Sequence, residues 1–194
     1  MRLLSAIFVL MLIGISSPGW AADTPTDTVK RLIESVKSYK KETSTQGSAV
    51  NAQARKVTEE SFAVQDLAKR MLGPQWEKLN AGEKKDFTQL LTSLFQKVAY
   101  PKSAEFLGDV QIDFRNEKIT GDEAIVATTV SHPKEGQVDI QYQLQQANGR
   151  WVIEDVLLDG VSLVTNVRSQ MQQVIAKESY QGLMKRMRDK LAES

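Results

Sequence analysis

The sequence predicts an α+β domain, a single four-stranded antiparallel sheet covered by helices. Three observations carry that expectation. Apolar residues recur at helical spacing through the first half of the chain and again at its end. Between Val110 and Leu158 they alternate at period two instead. Asn148-Gly149, set between two alternating runs, is the strongest short hairpin signal in the chain.

The helices can be placed in order. Thr24-Pro25 has the form of an N-cap followed by proline at the first helical position, and Val29, Leu32, Ile33 and Val36 continue at helical spacing. Thr43–Ser48 (TSTQGS) has the composition of a polar loop, and Val50–Glu60 that of a mostly polar helix. Phe62–Leu72 is a third helix, stopped by Gly73-Pro74, and a short helical turn bears Trp76 and Leu79. Asn80 and Glu83 have capping-box spacing ahead of the strongest stripe, Phe87, Leu90, Leu91, Leu94, Phe95 and Val98. Pro101 ends or kinks that helix, and Phe106-Leu107-Gly108 closes the helical half.

The strands follow. Val110, Ile112 and Phe114 alternate with polar residues, and Gly121-Asp122 makes a turn. Ala124–Val130 is apolar or threonine on both faces, as in a central strand. Ser131–Gly136, with His132-Pro133, has the look of a connection. Val138, Ile140, Tyr142 and Leu144 then alternate with Asp139 and glutamines, so that strand has one wet face. Arg150–Leu158 is the return strand after the Asn-Gly turn. After Gly160, one amphipathic helix spans Leu163 to Ile175, and a last one bears Leu183, Met184, Met187 and Leu191. The outer face of that last helix is basic (Lys185, Arg186, Arg188, Lys190), either solvated or able to meet an anionic membrane surface.

Composition excludes much chemistry. The 194 residues are 41% hydrophobic and 25% charged, with 25 Lys+Arg against 24 Asp+Glu, one His and no Cys. A net charge of +1 provides no basic face for nucleic acid. Without cysteine there are no disulfides, thiolate metal sites or thiol nucleophiles, and one histidine leaves little for a metal centre or a triad. Ser162 sits in Gly-Val-Ser-Leu-Val, which lacks the second glycine of a nucleophile elbow, and a helix N-cap is its simpler role. No Walker-type phosphate loop occurs. Glu154, Asp155 and Asp159 lie close in sequence, but neighbours on a strand point to opposite faces.

The N-terminus has the form of an export signal. Arg2 is the positive start, Leu3–Ile15 is an apolar run of about 13 residues, and Ser16, Pro18 and Gly19 break it before a small-residue exit. Cleavage between Ala21 and Ala22 puts Gly19 at the −3 position and leaves a formally neutral mature chain; cleavage after Ala22 is the alternative. The run is shorter than the roughly 20 residues a spanning helix needs. Residues 1–21 are thus expected to be a signal peptide and residues 22–194 one domain, with no spanning segment in the mature chain.

Four stretches, in register behind that signal, resemble the MlaC family of periplasmic phospholipid-binding proteins, also called the toluene-tolerance family. They are Phe62–Trp76 (FAVQDLAKRMLGPQW), Leu79–Tyr100, Gly149–Arg168 (GRWVIEDVLLDGVSLVTNVR) and Val174–Lys190. The resemblance implies an NTF2/cystatin-like sheet backed by helices, with an apolar cavity between the two layers. It also implies a phospholipid cargo rather than a cofactor, and no catalytic or metal-ligating residue. The implied role is a periplasmic shuttle that maintains outer-membrane lipid asymmetry. Its implied partners are an outer-membrane lipoprotein complex and an inner-membrane ABC transporter with its substrate-capture protein.

On that basis Phe87, Leu91, Leu94, Phe95 and Val98 are expected to face the acyl chains from the helix. Ile125, Ala127, Ile140, Tyr142 and Ile153 are expected to do so from the sheet, and Val161, Val164 and Val167 near the mouth. Ordinary core is the competing reading for each. Arg168 is the head-group candidate, with a structural pairing as its alternative. Two other functions compete: an enzyme on a similar sheet, using Asp155 on a small apolar substrate, and a chaperone for lipidated proteins.

Overall fold

The computed structural model describes residues 23–39, 45–133 and 136–193, so the expected signal peptide and its cleavage site lie outside it. Thr24 caps α1 (Pro25–Ser38) in a reciprocal capping box: its hydroxyl accepts from the Asp27 N–H while the Asp27 carboxylate accepts from the Thr24 N–H. Helix α2 (Thr45–Ser61) lies along α1, and the buried Ser35 hydroxyl donates to the Ala54 carbonyl between them at 2.8 Å. Its start falls inside the stretch whose composition suggested a loop.

Helix α3 (Val64–Leu72) stops at Gly73, whose φ of +59° lies in a region other residues avoid. A 3₁₀ turn (Gly73–Lys78) leads to Asn80, which caps α4 (Ala81–Leu94) through the expected box with Glu83. The long stripe does not end at Pro101. It widens into a single π-helical segment, Phe95–Ala99, and continues as α5 (Tyr100–Leu107) with Pro101 in its first turn.

Hydrogen bonding explains that detour. The Tyr100 N–H reaches back five residues to the Phe95 carbonyl. In this register the next donor, due to pair with the Gln96 carbonyl, belongs to Pro101, which has no N–H. The orphaned Gln96 carbonyl accepts from the Tyr39 hydroxyl at 2.9 Å instead.

The sheet is an antiparallel meander ordered β1-β2-β3-β4-β5: β1 (Gln111–Thr120), β2 (Glu123–His132), β3 (Gly136–Ala147), β4 (Arg150–Leu158) and β5 (Val161–Ser162). It has five strands where the sequence predicted four, because β5 is two residues long, too short to show alternation. Asn148 and Gly149 both have positive φ, 52° and 75°, as a tight hairpin between right-twisted strands requires. Ser162 caps α6 (Leu163–Ala192) by accepting from the Thr165 N–H. The two expected C-terminal helices form one element, broken at Ser179.

Two apolar clusters result. The first packs Val29, Leu32, Ile33 and Val36 of α1 on the inner face of β2–β4. The second joins α3, α4 and both parts of α6 around the fully buried Phe87. Among the described residues, no helix is long and apolar enough to cross a membrane.

Candidate functional site: an apolar cavity between sheet and helices

The two clusters do not close on each other. Between them lies a cavity of about 450 Å³. Helix α1 contributes Leu32, Ile33 and Val36, and the α2–α3 corner contributes Phe62, Val64, Leu67 and Met71. The π segment and α5 contribute Phe95, Ala99, Tyr100 and Phe106, and the sheet contributes Ile140, Tyr142, Val156 and Leu158. Leu163 and Val164 at the start of α6 complete it.

Exposure shows where it opens. Leu32, Ile33, Leu67, Ile140 and Val164 are buried, whereas Phe106 (37%), Leu158 (36%) and Leu163 (39%) are exposed. The mouth therefore lies between α5 on one side and the β4–α6 connection on the other. Beside it the Phe106 ring stacks on His132, centroids 5.4 Å apart. Deeper in, Phe95 and Tyr100 stack at 6.3 Å, and Tyr39 meets Tyr100 edge-on. Such rings provide large apolar area with little freedom to lose. Burial pushes the Tyr142 phenol up to about 12, against an opposing hydrogen bond with Thr128. Burial also raises Tyr100, and the Glu59 carboxylate adds to the effect.

Asp155 is the acidic group deepest in this wall, and three donors converge on its carboxylate. It accepts from the Ser162 hydroxyl at 2.5 Å, from its neighbour's N–H on Val156 at 2.8 Å, and from the Val164 N–H at 3.2 Å. These contacts tie β4 to the first turn of α6. The carboxylate is thus placed to order the helix start. Among the described residues, no group of three or more His, Asp or Glu side chains could hold a metal ion.

Behind the cavity, across the β4 residue Glu154, lies a second and polar hollow of about 690 Å³. Arg70 pairs with Glu154 at 2.5 Å and Lys69 with Glu77 at 3.3 Å. Arg168 crosses from α6 to donate from Nε to the Arg70 carbonyl at 2.6 Å, and Gln172 donates to the Leu72 carbonyl at 2.6 Å. Together they satisfy carbonyls at the end of α3, which has no later turn to pair with. The Arg168 stem lies so close to Gly73 that a Cβ there would sit 3.3 Å from its Cδ.

A helix-backed antiparallel sheet around an apolar cavity is the architecture expected above, and residues 26–189 match the family described as MlaC protein. The chain belongs to the MlaC family. A solved structure with the same fold is the phospholipid-binding protein of Ralstonia solanacearum, described in complex with a phospholipid. It is 14% identical to this MlaC chain, with a TM-score of 0.66 over 87% of this chain and 94% of its own. No curated protein sequence matches the chain.

The structure distributes the sequence-derived positions of this MlaC protein among several environments. Phe95, Ile140, Tyr142 and Val164 line the cavity. Phe87 and Leu91 are buried in the α3–α4–α6 cluster, with Leu94 and Val167 packed at its edge. Val98 is half-buried in the π segment, and Ile153 is fully buried in the sheet core. Ile125 and Ala127 take the outer face of β2, because Ala124, Val126, Thr128 and Val130 take the inner one. Val161, in β5, is 56% exposed. Arg168 lines the polar hollow. Sequence reasoning passed over Leu32, Ile33 and Val36 as cavity wall. Their helical stripe was visible, but what it faces is a tertiary fact.

Proposed function

We propose that this MlaC-family protein is a phospholipid carrier, a binding protein and not an enzyme, whose cavity takes acyl chains while the head group stays at the mouth. The observation that carries the reading is the apolar cavity itself, enclosed by α1, α5 and the inner face of the sheet. The phospholipid held by the Ralstonia solanacearum protein, which shares the fold, supports it. Each buried methylene gains about 0.8 kcal/mol relative to water. A carrier, however, exchanges its cargo with a bilayer that is equally apolar, so transfer between the two can be close to isoenergetic. Such a protein needs tight exclusion of water and no chemistry of its own.

We further infer that the carrier works in the periplasm, between an inner-membrane ABC transporter with its substrate-capture protein and an outer-membrane lipoprotein complex. That traffic maintains outer-membrane lipid asymmetry. The export signal read in residues 1–21 and membership in the MlaC family support this placement. Any net direction must come from the partners.

The test is direct. Protein purified from its native host is extracted with organic solvent and the lipids are identified by mass spectrometry. Stoichiometric diacyl phospholipid is expected. No lipid in the extract, together with no uptake from phospholipid vesicles, rejects the carrier. N-terminal sequencing of the periplasmic fraction should read from Ala22.

A further inference from the structure

The cavity wall contains one lysine or arginine among its described residues, Lys102, and it stands at the mouth beside Ser103 in the first turn of α5. The two carboxylates of that wall are already engaged. Glu154 is held by Arg70, and Asp155 by a hydroxyl and two backbone N–H groups. Thr58, also in the wall, donates its hydroxyl to the Ala54 carbonyl. Lys102 and Ser103 differ. Both are exposed, and among the described residues neither side chain has a hydrogen-bond or ion-pair partner. Glu105, three positions on, forms no salt bridge with Lys102.

We propose that Lys102, assisted by the Ser103 hydroxyl, binds the phosphodiester of the cargo lipid at the cavity mouth and makes the carrier prefer net-anionic phospholipids. The proposal rests on the carrier reading above and adds to it a residue that selects the head group. The geometry suits the chemistry. Lys102 is an exposed member of the cavity lining, where a lysine can lay its stem along hydrocarbon and keep its ammonium in water, and the exposed Phe106, Leu158 and Leu163 mark that same boundary. A phospholipid has its own boundary at the phosphodiester, between acyl chains and solvent. With the chains inside, the phosphate falls at the level of Lys102. An ammonium offers three donors and a compact charge without demanding one fixed geometry, which suits a cargo that must also leave. A zwitterionic head group supplies its own cation to the phosphate and gains less.

The test uses the delipidated mature chain incubated separately with vesicles of phosphatidylglycerol and of phosphatidylcholine, with retained lipid measured after separation. K102E should retain about tenfold and K102Q about threefold less phosphatidylglycerol at limiting lipid, with smaller losses for phosphatidylcholine and K102R close to wild type. The differences should shrink in about 0.5 M salt. Matched melting temperatures show that the variants fold. Equal retention by wild type, K102Q and K102E overturns the assignment of Lys102 and leaves the carrier standing, whereas a wild-type chain that retains neither lipid overturns both. Inorganic phosphate alone should neither bind nor displace lipid; binding of free phosphate that K102E abolishes would make this a site for the free anion and overturn the head-group assignment.

Discussion

Glu154 separates two hollows of unlike character. On one side its carboxylate belongs to a polar groove whose charges pair with each other and whose longer side chains reach backbone carbonyls on the neighbouring helix. On the other side it borders an apolar cavity whose wall is mostly hydrocarbon. The groove is larger, yet its main charges are committed to fastening the end of α3 to its neighbours, Arg70 to β4, Lys69 to the 3₁₀ turn and Arg168 to α6. The cavity is smaller and its apolar wall faces no protein partner. Size does not identify the binding site here; the site is where the wall still lacks something to pack against. Groove residues should therefore control stability, and the apolar residues of the cavity wall should control occupancy.

The largest expected effect belongs to the helix cluster, which lies outside both hollows and sets the scale of a pure stability loss. Phe87→Ala, in the helix cluster beside Trp76, should destabilise the fold by about 3–5 kcal/mol in urea titration. Ala99→Trp, which introduces a large ring at a cavity-lining position of the π segment, should cost about 1–3 kcal/mol while removing most bound lipid. If the tryptophan variant keeps its lipid, the cavity does not hold the cargo.

Asp155→Ala should cost about 2–3 kcal/mol, because the buried Val164 N–H and the Ser162 hydroxyl lose their acceptor together. Lipid content per folded molecule should be unchanged. Catalysis by this carboxylate would show instead as turnover of a small apolar substrate, lost in the variant.

How much of this arrangement was legible in the sequence depends on the range of the signal. Caps, turns and strand alternation are local, and Thr24, Asn80, Ser162 and Asn148-Gly149 do in the structure what their spacing suggested. Which face of β2 looks inward was not legible, because Ala124–Val130 is apolar or threonine on both faces, so Ile125 and Val126 compete on equal terms. The stripe from Phe87 to Val98 is continuous in sequence but turns across the π segment. Its first half enters the helix cluster, and Phe95 faces the cavity. Its continuation past Pro101 depends on a hydroxyl from Tyr39, distant in sequence.

Alkaline pH should address the cavity side first, although burial also raises Tyr180 in the helix cluster. The Tyr142 phenol is raised to about 12 by burial, above its ordinary value of 10.0. Between those values the unfolded chain has lost the proton and the folded chain still holds it. Stability is therefore complete below about pH 10 and falls by about 1.4 kcal/mol per pH unit as the pH rises toward the folded value. Y142F should make that alkaline limb shallower in thermal melts, and Tyr100, raised for the same reason, should account for part of what remains. An unchanged slope would mean that Tyr142 is not sealed from water.

On the groove side, Arg168→Ala should lower stability by about 1–2 kcal/mol, through one lost charged hydrogen bond to the Arg70 carbonyl. Lipid content should remain. A drop in anionic lipid without a drop in stability would instead give Arg168 the head-group role.

The smallest expected change is a gain, and it probes what holds α6 against the groove. Ser179 interrupts α6 with φ 76° and ψ 172°, a region that glycine alone occupies at ease. Beyond it, Leu183, Met184 and Met187 pack into the helix cluster, so the break redirects the chain onto α3 and α4. Ser179→Gly relieves the side-chain clash but frees the unfolded backbone and removes a weak hydroxyl contact to the Gly182 N–H at 3.5 Å. The balance should stabilise by about 0.5–1 kcal/mol, a rise of about 2 °C in melting temperature. Gly182→Ala should do the opposite, because a Cβ there would fall 2.6 Å from the Glu178 Cβ and disturb the Glu178–Arg186 ion pair that spans the break. Opposite signs at two positions only three residues apart would show that the bend is part of the native packing. If both variants were neutral, α6 would straighten freely and the groove contacts alone would hold it in place.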